Sequence, residues 1–417
     1  MSKLQSPRGT HDLFGEDIDQ FNYIINTARS IAAHFGFSEV KTPIFEFSPV
    51  FAKSLGDSSD IVNKEMYVFE DRGGEQLTLR PEGTAGIARA FLSNGLTRNI
   101  PLKWFYQGPM FRYERPQKGR TRQFHQLGVE ILGAKDYKND LDCISLAHKL
   151  LTQLCPDQSI TLELNSIGDN ESRNTFRQKL IDYLTPFKNE LSEDSQKRLV
   201  SNPLRILDSK NKEDQKICES APKLIDCFNT SSKETFDLIK QGLNNLNIPF
   251  SISDQLVRGL DYYSHCVFEF KSDKLGAQNT VLAGGRYDHL IQQMGGPELS
   301  GVGFAAGIER LLLIMPPQTQ EKLQTAILCL DKESESKCIE LCYQLRSGGI
   351  LCEIIDSGNM SKKMKKADKI GAQVAIIVGQ EELSKNQVII KDLKKGEQNS
   401  VELTGLVQEV KRLLTSS

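Results

Sequence analysis

Apolar residues recur at helical spacing over residues 16–36. Ile18, Phe21, Ile25, Ala28, Ala32 and Phe35 mark one face, and Gly36 is the expected C-cap. The period then shortens. SEVKTPIFEFSPVF is rich in strand formers but contains Pro43, which cannot donate to a ladder, so an edge or interface strand is expected. A long helix followed by such a strand suits a dimer interface and equally suits an ordinary edge. MYVFEDRGGEQLTLR (66–80) predicts a hairpin turning at Arg72-Gly73-Gly74, then passing through Arg80-Pro81-Glu82-Gly83-Thr84 into the helix AGIARAFLSN. Trp104-Phe105-Tyr106 leads into residues 111–130 and Leu127, Val129 and Ile131 lead out, the pattern of a buried hairpin with a long tip.

A helix is expected at 140–155 and a strand with its loop at 160–168. Residues 170–250 are polar, with helical periodicity in TFRQKLIDYL and ETFDLIKQGLNNL, and read as a mostly helical insertion between strands. Strand patterns resume at 250–270 and 280–288, and GVGFAAGIERLLLIM (301–315) reads as a Gly-lined strand entering an apolar helix. Met315 to Thr319 is a linker. Beyond it the order βαβαββα predicts a small independent α/β domain, dividing the chain into residues 1–318 and 319–417.

Charge sharpens two of these elements. The formal net charge is −2, so any polyanion must be bound by local basic patches. One patch is the 111–130 hairpin, where Arg112, Arg115, Lys118, Arg120 and Arg122 face only Glu114 and Glu130. Guanidinium forks held on strands suit phosphate oxygens, and a solvated basic hairpin fits the same residues. The other patch is a helix carrying Lys362, Lys363, Lys365, Lys366 and Lys369, either a solvated face or a phosphate-backbone contact.

The nine cysteines include no C-x-x-C pair and no companion His ligands, which points to reduced thiols, a cytosolic compartment and no structural zinc. Cys338 and Cys342 lie one helical turn apart and read as core-facing. The N-terminus lacks an apolar leader, and the longest apolar run, AAGIERLLLIMP, is broken by Glu309 and Arg310. Gly301, Gly303 and Gly307 do not fit a dinucleotide fingerprint, so their missing side chains suggest close approach of a ligand or a neighbouring strand. Glu82 and Thr84 either cap the following helix or receive an ammonium group.

Several stretches together resemble the histidyl-tRNA synthetases, a family of class II aminoacyl-tRNA synthetases. The first helix with the Pro43 strand is similar to motif 1, residues 104–130 with Phe111-Arg112-Tyr113-Glu114 to motif 2, and Gly307-Ile308-Glu309-Arg310 to motif 3. LVRGLDYY (256–263) and AGGRYD (283–288) resemble the two signatures of the histidine-specific members, and NPLRILDSK (202–210) a segment of their insertion. The resemblance runs nearly the full length.

It implies an α+β fold: an antiparallel catalytic sheet with a helical insertion at about 170–250, plus a C-terminal α/β anticodon-binding domain. It implies a homodimer that uses ATP with Mg²⁺, L-histidine and tRNA(His), with no dedicated protein metal site. Arg112 and Arg258 are then the catalytic cations at the α-phosphate. Glu82, Gly83, Thr84, Gln126, Glu130, Tyr262 and Tyr263, with Arg112 and Arg258, bind histidine. Arg112, Glu114, Arg120 and Arg310 bind ATP, and Arg115 and Gln117 meet the tRNA acceptor end. A histidine-sensing regulatory subunit without ligase activity is the alternative, but such paralogues tend to lose the catalytic arginines and the anticodon domain, both present here.

Overall fold

The computed structural model describes residues 4–56, 61–117, 119–156, 160–207, 209, 211–256, 262–276, 279–318 and 324–415. Arg258 and Lys118 lie outside these residues. The chain forms two units, Met1–Gln318 and Thr319–Ser417.

In the first unit, helix α1 (Glu16–His34) leads to strands β1 (Ser38–Glu39) and β2 (Phe45–Phe47), then α2 (Pro49–Leu55). The hairpin β3 (Tyr67–Glu70) and β4 (Gln76–Leu79) precedes α3 (Thr84–Ser93). The long hairpin β5 (Leu102–Phe111) and β6 (Gln123–Leu132) is followed by α4 (Lys138–Leu154) and β7 (Ile160–Ser166). Among the described residues the insertion contains the α-helices α5 (Asn170–Leu184), α6 (Glu193–Ser201), α7 (Lys212–Cys218) and α8 (Thr230–Asn245), joined by short 3-10 turns. The unit closes with β8 (Ser251–Ile252), β9 (Ser264–Ser272), β10 (Thr280–Tyr287), α9 (Leu290–Gln293), β11 (Gly301–Gly307) and α10 (Ile308–Ile314).

An eight-stranded sheet in the order β1-β5-β6-β11-β10-β9-β7-β8 is the frame of this unit. Its interior pairs are antiparallel, and the two short edge strands β1 and β8 pair in parallel. The period of two sends alternate residues to opposite faces. Leu127, Val129, Ile131, Val302, Phe304 and Ala306 go to one face, where α1, α4 and α8 contribute Phe21, Ile24, Ile144, Leu150 and Leu243 to a common core. Glu130, Gly303 and Tyr287 go to the other face.

Between them, the N-terminal elements and the Pro43 stretch differ in part from expectation. The first helix stops at His34, Phe35 caps it, and Gly36 follows at φ 80°, the left-handed conformation that glycine tolerates. Pro43 precedes β2, which is an edge strand not of the main sheet but of a separate three-stranded sheet, β2-β4-β3. The chain after β2 turns helical at Pro49, a position where proline's missing N–H costs nothing. Arg112 and Glu114 lie just beyond the end of β5, not on the strand itself.

The second unit contains β12 (Gln324–Cys329), α11 (Glu335–Ser347), β13 (Leu351–Ile355), α12 (Met360–Lys369), β14 (Ala372–Val378), α13 (Gln380–Ser384), β15 (Gln387–Asp392), β16 (Gln398–Glu402) and α14 (Leu406–Thr415). Its sheet order is β13-β12-β14-β15-β16, parallel across the first three and antiparallel at β15 and β16. The expected βαβαββα order thus lacked α13 and β16. The latter reads QNSVE, a polar and largely exposed edge strand with no hydrophobic alternation to announce it. Cys338 and Cys342 are buried in the core, as their spacing required. The lysine-rich α12 is not a uniform cationic face: Lys363 is 4% exposed and its Nζ donates to the Cys329 carbonyl.

One buried ion pair joins α4 to the sheet. Arg286, on the helix-covered face of β10, donates through Nε to Asp140 Oδ1 at 3.2 Å and through Nη2 to Oδ2. The same guanidinium reaches the carbonyls of Ala134 and Asp136, so all its edges are paired. Asp140 is fully buried. Removing one partner strands a charge in the core, which costs far more than the intact pair contributes. Asp140→Ala should therefore destabilise the first unit by about 3–5 kcal/mol, read as a lower urea midpoint for its unfolding. An unchanged midpoint would show that Arg286 finds other compensation.

Candidate active site

The polar face of the sheet carries a pocket of about 550 Å³. Its floor exists because β11 presents Gly301, Gly303, Ala305 and Gly307 to that side. Gly303 pairs with Glu130, and a Cβ there would collide with the Glu130 carboxylate. The close approach expected of these glycines is therefore to a neighbouring strand's side chain.

Glu130 is 1% exposed and is held by two hydroxyls. Thr84 Oγ1 donates to Oε1 and Tyr287 Oη to Oε2, each at 2.6 Å. Burial raises its carboxyl pKa against the pull of these donors, and Glu82 nearby adds to the rise, so that it stands at about 8. Glu82 is also buried. Its carboxylate accepts the backbone N–H groups of Thr84 at 2.7 Å and Ala85 at 2.8 Å, and so serves the first turn of α3. The capping alternative for Glu82 is thus realised while its side chain also lines the pocket. Burial raises its pKa too, against those backbone donors. Gly83 lies where a Cβ would strike the Tyr106 ring, so the backbone can approach the sheet only without a side chain.

Gln126 shares the pocket face of β6, and among the described residues its buried Oε1 has no hydrogen-bond partner. Tyr262 and Tyr263 close the wall with ring centroids 4.7 Å apart, and Tyr262 meets Tyr287 edge-on at 5.7 Å. This end of the pocket combines acceptors, hydroxyls and aromatic rings, which suits a small ligand bearing an ammonium group and a nitrogen heterocycle.

The other end is cationic. Arg112 Nε donates to the Pro81 carbonyl at 2.9 Å, and its guanidinium lies 5.3 Å from the centre of the Phe124 ring. Arg120 is paired with Glu114 at 2.7 Å. Arg310, at the start of α10, donates from Nε to the Thr280 carbonyl at 2.7 Å. Burial lowers the Arg310 pKa and the neighbouring Arg120 lowers it further, the mark of cations gathered on one wall. Arg112, Arg120 and Arg310 line a single pocket with Glu114, an arrangement able to neutralise a polyphosphate. Arg115 and Gln117 are exposed on the hairpin tip and do not line it. Arg258 lies outside the described residues.

Sequence reasoning missed Tyr287, although AGGRYD had been singled out. The register sends Tyr287 to the pocket and its neighbour Arg286 to the opposite face. It also missed Glu163, Glu269, Lys271 and Thr280 along the rim, and Leu207, Ser209 and Gln215, which the insertion brings to the pocket wall. Lys271 bonds Glu163 at 2.6 Å, and Thr280 Oγ1 donates to Glu269 at 2.9 Å. Only cross-strand register places them together.

Comparison with known proteins agrees along the whole chain. The family model described as histidyl-tRNA synthetase matches residues 9–169 and 180–311, and that described as an anticodon binding domain matches 324–413. A histidine–tRNA ligase of Rhodospirillum rubrum is 49% identical over 99% of this chain and 100% of its own. One from Gluconobacter oxydans is 47% identical over 98% of each. The crystal structure of apo Staphylococcus aureus histidyl-tRNA synthetase superposes with a TM-score of 0.84 at 32% identity, covering 98% of this chain and 100% of that one.

The elevated Glu130 pKa makes a stability test. The folded state holds this proton more tightly than the unfolded chain, so the contribution is complete below about pH 4.5 and is lost as pH rises through about 8. Glu130→Gln removes the titration. The melting temperature of the native protein should fall relative to E130Q across that window, and parallel pH profiles would refute the burial of an ionisable Glu130.

Proposed function

The chain belongs to the histidyl-tRNA synthetase family, and from that premise we propose how its pocket divides between the substrates of a histidine–tRNA ligase. The enzyme joins L-histidine to ATP, releasing pyrophosphate, and passes the histidyl group from the adenylate to the 3′ end of tRNA(His). The observation that carries the division is the Thr84–Glu130–Tyr287 cradle, which shares one pocket with Arg112, Arg120 and Arg310.

Glu130 and Tyr263 read the two imidazole nitrogens. A competitor lacking the second nitrogen forgoes a hydrogen bond to one of these buried groups, which is the stronger form of rejection. Glu82, Thr84 and Gln126 receive the α-ammonium, with Gln126 Oε1, which has no partner among the described residues, as an acceptor. Gly83 supplies backbone, and Tyr262 walls the ring. Arg112 then stands at the junction between histidine carboxylate and α-phosphate.

Activation brings an anion against an anion. A carboxylate oxygen forms the new bond to the α-phosphorus as the bond to the pyrophosphate oxygen breaks. Arg112 and Arg258 offset the charge on the α-phosphate, Arg310 takes the γ-phosphate, Arg120 the outer phosphates and Glu114 the adenine end. Mg²⁺ arrives as part of the ATP substrate. Positioning and fixed charge suffice for this step without a covalent enzyme intermediate.

The exposed Arg115 and Gln117 suit the acceptor end of tRNA(His), and the second unit the anticodon. A histidine-sensing regulatory subunit would have no use for the phosphate-facing arginines. A homodimer is supported by the three-stranded sheet. Cross-strand register aligns Phe45 with Leu79 and Tyr67, and Phe47 with Leu77 and Phe69, on one face. Phe45, Phe47 and Phe69 are 49%, 55% and 43% exposed, an apolar surface that a second copy would cover. A role in translation suits a cytoplasmic enzyme, and among the described residues no helix is long and apolar enough to cross a membrane.

Histidine-dependent ATP–pyrophosphate exchange tests the chemistry. Arg258→Ala should lower the exchange rate by about 10²–10³-fold, and robust exchange in R258A would remove Arg258 from the mechanism. For the dimer, Phe47→Asp should convert the species seen by sedimentation velocity at micromolar concentration from two chains to one. A persistent two-chain species would move the interface elsewhere.

A further inference from the structure

A clamp of four side chains joins the starts of the first and last helices of the insertion. Asp169 caps α5 by accepting from Ser172 N at 2.8 Å, and Asn229 caps α8 by accepting from Ser232 N at 3.0 Å. The two caps are interlocked. Asp169 N donates to Ser232 Oγ at 3.3 Å, Asn229 N to Ser172 Oγ at 3.1 Å, and Asn229 Nδ2 to Asp169 Oδ2 at 2.6 Å. The starts of α5 and α8 are therefore held together as one block.

That block grips the segment carrying Tyr263. Arg173, in the first turn of α5, donates from Nη1 to the Tyr263 carbonyl at 2.9 Å and from Nη2 to Asn170 Oδ1 at 2.9 Å. Asn170 Nδ2 lies 3.0 Å from His289 Nε2, just past β10. Two residues beyond Tyr263, His265 N donates to the Gly168 carbonyl at 2.9 Å, and Ile167 N donates back to the His265 carbonyl at 2.7 Å. His265 holds φ at 45°, a left-handed conformation that a non-glycine residue keeps only when its surroundings impose it. The Tyr263 ring lies over Gly285, where a Cβ would come within 2.9 Å of it. The glycine leaves room for the ring, Tyr262 packs against it, and the backbone grip sets where the segment carrying the phenol stands.

We propose that Arg173 is a positioning residue for histidine recognition: it fixes the Tyr263 backbone, and with it the phenol in the pocket, and makes the base of the insertion part of the amino acid site. This rests on the reading of Tyr263 as a ligand of the imidazole. A charged donor to a main-chain carbonyl is strong and directional, so its loss frees the Tyr263 segment while Arg112, Arg120 and Arg310 keep their own partners on other elements. The insertion cannot shift at its base without carrying Tyr263 along.

Steady-state ATP–pyrophosphate exchange on the full-length protein, with histidine and ATP varied in turn, tests this in Arg173→Met, Tyr263→Phe and the double variant. R173M should raise KM for histidine about tenfold while KM for ATP and kcat stay within about threefold. R173K, which keeps one cationic donor, should recover part of the loss. The double variant should be no worse than Y263F, because Arg173 acts through Tyr263. An unchanged KM for histidine in R173M, equal rises in both KM values, or full additivity with Y263F would overturn the proposal. A native KM in Y263F would instead defeat the role given to Tyr263, and this inference with it. Should R173M not fold, Asn170→Ala, which releases the second arm of the guanidinium, should give a smaller rise confined to histidine, and no rise would likewise overturn it.

Discussion

A carboxyl group in the middle of a β-sheet has no water to pair with, so the fold must bring it partners. Glu130 is such a group, and the surrounding architecture follows from it. One hydroxyl comes from the first turn of α3 and the other from the end of β10, on two elements about two hundred residues apart in the chain. The strand opposite must be glycine at position 303, because any side chain would occupy the place of the carboxylate. Glu82 repeats the theme with backbone donors, its two oxygens taken by the amides that open α3. The two carboxyl groups at this end of the pocket are thus already paired internally, and their orientation is fixed before any ligand enters.

The eight-stranded sheet separates two chemistries by its period of two. On β10 the change from Arg286 to Tyr287 crosses from the apolar, helix-covered side to the pocket. The arginine is neutralised by Asp140 on one side and the tyrosine serves Glu130 on the other. The long β5–β6 hairpin spans the same division along its length. Its strands carry Gln126 and Glu130 toward one end of the pocket, its stem carries Arg112 and Glu114 toward the other, and its exposed tip presents Arg115 and Gln117 away from both. The insertion adds a wall with Leu207, Ser209 and Gln215 and bolts its base to the Tyr263 segment.

Long periodic elements were legible in the sequence. The first helix, the 111–130 hairpin, the helical insertion and the Gly-lined strand entering α10 all stand near where their patterns put them. What escaped was short, polar or dependent on neighbours. β16 has no hydrophobic alternation and pairs only because β15 offers an open edge. Lys363 sits in a run of lysines that resembles a solvated face, yet helix phase turns that one residue inward to a carbonyl. Pro43 signalled an edge strand without saying which sheet owned the edge.

The residue types needed for the chemistry, and their order along the chain, belong to the sequence alone. The clustered arginines of the hairpin, the LVRGLDYY and AGGRYD stretches, and the acids at 82, 114 and 130 are local patterns that need no fold to be seen. Which of them face one another is a property of strand register. A shift of one residue would exchange Tyr287 for Arg286 and put a guanidinium where Glu130 finds its hydroxyl. The pairing of Glu130 with Gly303, the hydroxyls that hold it, and the grip of Arg173 on Tyr263 are contacts across long stretches of chain, and only the closed sheet brings them within hydrogen-bonding distance.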